Sequence, residues 1–314
     1  MSLETKYIWL NGKLIPWEEA KDHTVIHALH YWTSIFEGIR FYQTDRWPAI
    51  FRLSDHIKRF FYSASVLEMD LWYSQKDLEE ACKIVVKEND LTNGYIRPIA
   101  RYGYGKMWLN PKWAKINVEI SAWPWWKYLS EKPVRVVISR FIRLHPQSAI
   151  MEAKIGWYYV NSVFANQDAI RRWYDEALLL DRRWYIAEWP GENIFFVKGN
   201  TLYTPKLGSI LPGITRDTII SAVAPDLWFD VKEVDIKPEQ LWEFDEAFFV
   251  WTAAEVTPIG SISLGEVWRT SEENLKNNWK VSYKVDKVLR IRDYYMDIVH
   301  WKIEKWKKFL DYIS

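Results

Sequence analysis

The residue whose setting most suggests chemistry is Lys154, in the segment MEAKIGWYYVNS, where a lysine closes an extended run just before an amphipathic helical pattern. A primary amine held at such a junction can condense with an aldehyde to form a Schiff base. Further along, Glu188 stands in AEWPGENIFF, and Leu211 to Thr218 read LPGITRDT, a Pro-Gly turn opening a helix. The free amides at such a helix start suit a phosphate. An amine, an acid and a phosphate seat are together what pyridoxal phosphate needs.

The chain that must position these groups has 314 residues, 49% hydrophobic and 26% charged, which allows two domains with separate cores and excludes disordered or fibrous classes. Forty-two basic against 41 acidic residues give a net charge of +1, so no long-range field draws the protein to nucleic acid or to an anionic membrane. The N-terminal MSLETKYIWLNGKL has no apolar leader, and nowhere do about 18 apolar residues run uninterrupted. A cytoplasmic enzyme is the expectation. The single cysteine, Cys82, lies in the helical pattern LEEACKIVVKEN, where a buried apolar role is expected rather than nucleophilic chemistry.

Hydrophobic periodicity divides the frame in two. KYIWL and KLIPW flank Asn11-Gly12, a pair that favours a two-residue hairpin turn. SIFEGIRFY and PAIFRL read as further strands, followed by helices at 55 to 68 and 75 to 89, and then by the strands YIRPIARYGYG and INVEISAW. Together they predict a small α/β domain over residues 1–120. Residues 121–133, SAWPWWKYLSEKP, are aromatic, carry two prolines and lack a period, which predicts an interdomain connection. From 134 to 314 short strands (VRVVIS, EALLLD, NIFFV, TLYTP, EAFFVW) alternate with helices at 159 to 172 and 213 to 224 and a last helix from near 283. These predict a larger, cofactor-binding domain, and the class as a whole is α+β / α/β.

The segments HALHY, SIFEGIRFY, YIRP, WPW, MEAK, GENIFF, LPGITRD and TAAEVTPI follow one another in the order and spacing of fold-type IV aminotransferases. Within that fold the chain most resembles the branched-chain amino-acid aminotransferases, from about residue 7 to the start of the C-terminal helix. The resemblance implies a small N-terminal α/β domain, a larger C-terminal pseudo-barrel domain and pyridoxal 5'-phosphate as cofactor. It also implies a homodimer or higher oligomer acting on small amino acids and 2-oxo acids.

Residue by residue, the resemblance implies that Lys154 carries the cofactor and then moves the proton at the substrate α-carbon. Glu188 would face the pyridine nitrogen, with neighbouring Glu192 the alternative, and Tyr159 would hydrogen-bond the phenolic oxygen. Arg59, Ile214, Thr215 and Thr252 would hold the phosphate, with Gly213 leaving room at the turn. Tyr31, Phe36, Gly38, Tyr95, Arg97, Trp125 and Tyr128 would form the substrate pocket, with Met107 the candidate from a neighbouring subunit. Within that pocket Arg97 would pair the distal carboxylate of glutamate. Backbone amides at Thr252 and Ala253 would take the α-carboxylate.

One departure stands out. The chain has 21 tryptophans against 12 glycines, and many of the tryptophans, among them Trp32, Trp126, Trp157, Trp189 and Trp251, stand where the resemblance leads one to expect glycine. Several of those would touch the cofactor. Two other functions stay open on sequence: a transaminase of the same fold acting on D-amino acids or (R)-amines, and a non-catalytic, aromatic-rich binding protein in which tryptophan platforms replace the chemistry.

Overall fold

The computed structural model describes residues 3–125, 132–264 and 279–313. The chain forms two compact units, Met1–Trp126 with Ala153–Trp157 and Asp297–Ser314, and Lys127–Glu152 with Tyr158–Met296. Two short excursions thus belong to the first unit. Ile155 bridges to Ile35, and the C-terminal strand Leu310–Tyr312 pairs with Ala49–Phe51.

The first unit opens with the predicted hairpin of β1 (Tyr7–Leu10) and β2 (Lys13–Pro16). Its turn has Asn11 at φ 48° and Gly12 at φ 91°, the double positive φ that makes Asn-Gly the preferred pair. Then come α1 (His27–Tyr31), β3 (Ser34–Phe36), β4 (Ile39–Tyr42) and β5 (Ala49–Phe51). Helices α2 (Leu53–Val66) and α3 (Gln75–Glu88) and the long strands β6 (Gly94–Tyr102) and β7 (Ile116–Pro124) complete it. One sheet orders the strands as Leu310–Tyr312, β5, β4, β6, β7, β1, β2, with β3 also on β6. Helix α3 is fixed at its start by a capping box between Ser74 and Asp77, worth about 1 kcal/mol, and buries Leu78, Ala81, Cys82 and Val85 as its period predicts. It packs on β1, β6 and β7. Burial pushes the Cys82 thiol up, away from thiolate chemistry.

A correction concerns the predicted connection. Residues 121–124 continue β7, with Ser121 opposite Arg97, Ala122 opposite Ile96, Trp123 opposite Tyr95 and Pro124 opposite Gly94. The proline that suggested a break sits at the last strand position, where no further ladder hydrogen bond is required of it.

The second unit contains β8 (Val134–Ile142), α4 (Tyr158–Arg171), β9 (Glu176–Leu180), β10 (Asn193–Lys198), β11 (Thr201–Pro205), α5 (Ile214–Thr218), α6 (Ala224–Asp226), β12 (Asp230–Val234), β13 (Glu246–Trp251), β14 (Glu255–Ser263) and β15 (Lys280–Ser282). The last long helix, α7 (Asp286–Val299), begins three residues later than its period suggested. The sheet runs β12-β11-β10-β13-β14-β8-β9, with β15 on β14. Its parallel pairs are β11 with β12, β14 with β8, and β8 with β9. A parallel pair needs a crossover, and α4 supplies the one between β8 and β9, packing on both. Ala165 and Ala169 of α4 cover Val137, Ala177 and Leu179, while the opposite face buries Val136, Ile138, Leu178, Ile194, Phe196 and Phe249. Side chains of this size stabilise by about 1.5–3 kcal/mol each when buried. That two-sided burial explains why these strands read as unbroken apolar runs.

Among the described residues six tryptophans adopt left-handed backbone: Trp32, Trp72, Trp173, Trp184, Trp228 and Trp301, at φ from 58° to 67°. L-residues other than glycine, asparagine and aspartate rarely accept that region. No helix among the described residues is long and apolar enough to cross a membrane.

Candidate active site

In the first unit the site is built around the Lys154 amine. The backbone at Lys154 is fixed twice, its N–H donating to Ser63 Oγ of α2 at 2.8 Å and its carbonyl accepting from Phe36 N at 3.1 Å. Gly156 N donates to Ser34 O at 2.8 Å, so the lysine segment lies along β3 like a short extra strand. A side chain at Gly156 would strike Ser34 Oγ, 2.4 Å from an ideal Cβ, which is why glycine follows so closely on the lysine. The side chain of Lys154 is 5% exposed and its Nζ sits 4.7 Å from the centre of the Phe36 ring. Burial, helped by the Arg59 and Arg97 guanidiniums and opposed by Glu37 and Tyr95, pulls the amine from its ordinary 10.5 down to about 8. An amine in that range can give and take a proton near neutrality.

Beneath Lys154 lies a buried charge cluster. Glu37, fully buried between β3 and β4, accepts from Arg59 Nε at 2.7 Å and Nη2 at 2.9 Å, and His56 Nδ1 lies 2.8 Å from the same carboxylate. Burial works to raise the Glu37 carboxyl, yet Arg59 and His56 outweigh it and hold the group well below the usual carboxylate range. Burial also pushes the His56 imidazole down, with Arg59 and Lys154 adding to it and Glu37 opposing.

Strands β6 and β7 supply an aromatic wall on one sheet face, as their register requires. Tyr95 and Arg97 alternate on β6, Trp123 stands opposite Tyr95, and Trp125 follows β7 and stacks on Tyr95 at 5.0 Å. The Arg97 guanidinium lies 4.8 Å from the Phe36 ring and 5.3 Å from Tyr95, and its Nη2 donates to Tyr95 Oη at 3.2 Å. Gly38 is obligatory there, since an ideal Cβ would fall 1.8 Å from Tyr95 Oη. Tyr31 ends α1, with its ring 4.6 Å from His27, and Met107 is half-buried in the loop after β6. Tyr128 lies outside the described residues.

In the second unit the anchor is Glu188. Its Oε1 is 2.7 Å from Arg143 Nε, an ion pair between side chains only 3% and 5% exposed. Its Oε2 accepts from Leu211 N at 3.1 Å and from Asn193 Nδ2 at 3.3 Å, while Asn193 Nδ2 also donates to Leu211 O at 3.0 Å. The acid and the Pro-Gly turn singled out in the sequence are therefore joined. Gly213 caps α5, and an ideal Cβ on it would lie 2.1 Å from Asn193 Oδ1. Ile214 and Thr215, both buried, are the first residues of α5, which packs on β13. Thr252 and Ala253, also buried, occupy the tight turn between β13 and β14, where Glu255 takes φ 59°. Tyr159 sits half-buried in the first turn of α4.

The tryptophans expected beside the cofactor separate in kind. Trp189 is 3% exposed and stacks on Phe249 at 4.7 Å within the core of the second unit, which is how an indole is accommodated directly after Glu188. Trp157 and Trp251 are half-buried at the ends of their segments, and Trp126 lies outside the described residues. Sequence reasoning missed Glu37, His56, Arg143 and Asn193 as site residues. Glu37 and Asn193 sat inside motifs that carried the resemblance, whereas nothing in the local pattern distinguishes Arg143.

Comparison with known proteins is consistent with this chemistry. The model of the family described as amino-transferase class IV matches residues 34–262. A branched-chain-amino-acid aminotransferase of Pseudomonas aeruginosa is 41% identical over 259 residues, covering 81% of this chain and 84% of its own. One from Escherichia coli is 41% identical over 262 residues, covering 82% and 84%. Among solved structures, the branched-chain aminotransferase of Thermoproteus uzoniensis with norvaline superposes with a TM-score of 0.90 at 35% identity, covering 99% of this chain and 100% of its own. A further branched-chain amino acid aminotransferase, complexed with N-(5'-phosphopyridoxyl)-L-glutamate, gives 0.89 at 40%, covering 100% of both chains. With the family model spanning most of its length and such relatives beside it, this chain belongs to the class IV aminotransferases, of fold type IV.

Proposed function

We propose that this chain is a pyridoxal-phosphate-dependent branched-chain-amino-acid aminotransferase, moving the amino group of leucine, isoleucine or valine to 2-oxoglutarate in two half-reactions. The observation that carries it is the buried Lys154 amine, drawn down to about 8 and ringed by Phe36, Tyr95 and Arg97. The residues present fit the cofactor: an amine able to lose its proton, an ion-paired acid tied to the Leu211 turn, and a glycine-capped helix start. Pyridoxal phosphate, when bound, supplies an aldehyde for the amine and a ring that accepts electrons from the substrate α-carbon.

Lys154 Nζ removes the proton from the substrate α-carbon and returns it, its lowered affinity for protons making both directions accessible near neutral pH. Glu188, oriented by Arg143, Asn193 and Leu211, serves the pyridine nitrogen. Tyr159 serves the phenolic oxygen. Ile214, Thr215, Thr252 and Arg59 hold the phosphate, and Arg59 does so while its fork is braced by Glu37. Phe36, Gly38, Tyr95, Trp125, Tyr31, Tyr128 and Met107 form the wall for a branched side chain, the last from a neighbouring copy in a homodimer. Arg97 takes the distal carboxylate of glutamate, and Thr252 and Ala253 take the α-carboxylate. The protein works in the cytoplasm.

Reconstitution with pyridoxal phosphate tests this directly. A visible absorption band should form, borohydride should fix the cofactor on Lys154, and L-leucine with 2-oxoglutarate should give L-glutamate. Turnover confined to D-amino acids or (R)-amines would replace the substrate assignment, and a protein that never takes up the cofactor would remove the enzymatic one.

A further inference from the structure

The turn that carries Glu188 contains a second acid, Glu192, which the proposed mechanism does not use. Glu192 is 2% exposed, and among the described residues neither of its carboxyl oxygens meets a hydrogen-bond donor. Its backbone closes the turn on both sides, Trp189 N donating to Glu192 O at 2.9 Å and Glu192 N to Trp189 O at 3.5 Å. Asn193, the next residue, ties Glu188 to Leu211.

A third acid completes the cluster. Glu176 opens β9, is itself buried, and accepts from Asn166 Nδ2 of α4 at 2.8 and 2.6 Å and from Ala177 N at 3.3 Å. The indole N–H of Trp189 faces Glu176 without reaching hydrogen-bond geometry. The other charges nearby along these segments are already engaged, Asp175 with Arg135 at 2.9 Å and Glu188 with Arg143 at 2.7 Å. Among the described residues neither Glu176 nor Glu192 has an ion-pair partner.

A buried carboxylate without donors gives up its hydration uncompensated, and a like charge close by adds to the cost, so a neutral acid is the form this packing accepts. In keeping with that, burial and then Glu176 push Glu192 well above the usual carboxylate range, and burial pushes Glu176 up to about 7. We propose that Glu192 is carried as a neutral carboxylic acid and acts as a positioning residue for Glu188 and Asn193, its ionisation opening the Trp189–Glu192 turn and setting an alkaline limit on cofactor retention. This rests on the role proposed for Glu188.

Two titrations between pH 6.5 and 9.5 test it, on the wild type, Glu192→Gln and Glu176→Gln. One measures the affinity for pyridoxal phosphate by absorbance, the other the thermal unfolding of the cofactor-free protein. A group that holds its proton more tightly folded than unfolded destabilises the fold progressively as pH rises above its unfolded value. The wild type should therefore lose affinity relative to Glu192→Gln by up to about tenfold per pH unit on the alkaline side, and its unfolding temperature should fall more steeply. Glu176→Gln, which removes the neighbouring charge, should move the limb to lower pH. Parallel unfolding curves for wild type and Glu192→Gln overturn the inference even if transamination is intact. Separated unfolding curves with no cofactor uptake at any pH uphold the neutral acid and instead remove the assignment of Glu188.

Discussion

Arg59 clasps Glu37 through two charge-assisted hydrogen bonds, at 2.7 and 2.9 Å, directly beneath the lysine segment. The pair has no solvent to fall back on, since Glu37 is fully buried and the Arg59 side chain 11% exposed. Breaking it by Glu37→Gln leaves a buried guanidinium without its counter-charge and should cost about 3–5 kcal/mol in denaturant unfolding. The pH dependence has a definite sign. Because the folded carboxyl is depressed, its stabilisation is complete above the ordinary value of 4.5 and is lost as pH falls below it, so the variant's stability should vary less in acid than the wild type's.

Glu37 also supports the protonated form of Lys154, against Arg59 and Arg97. The acid limb of the half-reaction rate with L-leucine should centre on the lysine, near pH 8 for that group, and should move to lower pH in Glu37→Gln. Stopped-flow absorbance across about pH 6 to 10 checks this. A limb that stays in place would mean the variant's losses are purely structural.

Replacing Lys154 by methionine should abolish proton transfer, a loss of at least about 10²–10⁴-fold, while leaving the fold stronger at neutral pH. The amine's depression from 10.5 to about 8 reflects a penalty for keeping it buried and charged, of roughly 3 kcal/mol below pH 8. That penalty fades as pH rises toward 10.5, so the stability advantage of Lys154→Met should shrink over the same interval. Urea unfolding at about pH 7 and about pH 10 measures both.

Gly38→Ala should damage the site without disturbing the rest of the sheet. The added Cβ would lie 1.8 Å from Tyr95 Oη, and the displaced phenol would take with it its contacts to Arg97 and Trp125. With the aromatic wall in its proposed role of side-chain recognition, KM for leucine should rise about tenfold or more with a smaller change in the melting temperature. Gly38→Ala in combination with Tyr95→Phe should recover only part of the loss, since it removes the hydroxyl at 1.8 Å but keeps Cζ of the ring at 2.7 Å from the added Cβ.

Much of this arrangement was legible in the chain, and the limits have physical causes. The Asn11-Gly12 turn, the period of α3 and the apolar runs of β9, β10 and β13 are local signals, and each gave its element. Pro124 misled because a strand's last position tolerates proline as well as a loop does. The site followed the same division. Lys154, Glu188 and Gly213 lie at junctions that a sequence displays, whereas the Arg143–Glu188 pair depends on β8 and the turn after β9 meeting in the folded unit. Likewise Glu37 was visible only as part of a motif, because its partners His56 and Arg59 come from α2, after an intervening hairpin.

The tryptophans yield the sharpest contrast. Trp72, Trp173 and Trp228 hold left-handed backbone at φ 60° to 63° while their indoles are 78%, 84% and 82% exposed. Each bears roughly 1–2 kcal/mol of backbone strain with little burial in return. Glycine at these positions removes the strain and adds about 0.5–1 kcal/mol of unfolded-chain entropy, for a net gain of several tenths of a kcal/mol each. The triple variant should therefore unfold at higher temperature than the wild type. Trp189→Gly should do the opposite, because that indole is buried against Phe249 and its removal opens a core cavity costing about 3–5 kcal/mol. Calorimetry on the two variants separates the effects: if both move stability in the same direction, the sign of φ is not what distinguishes these tryptophans.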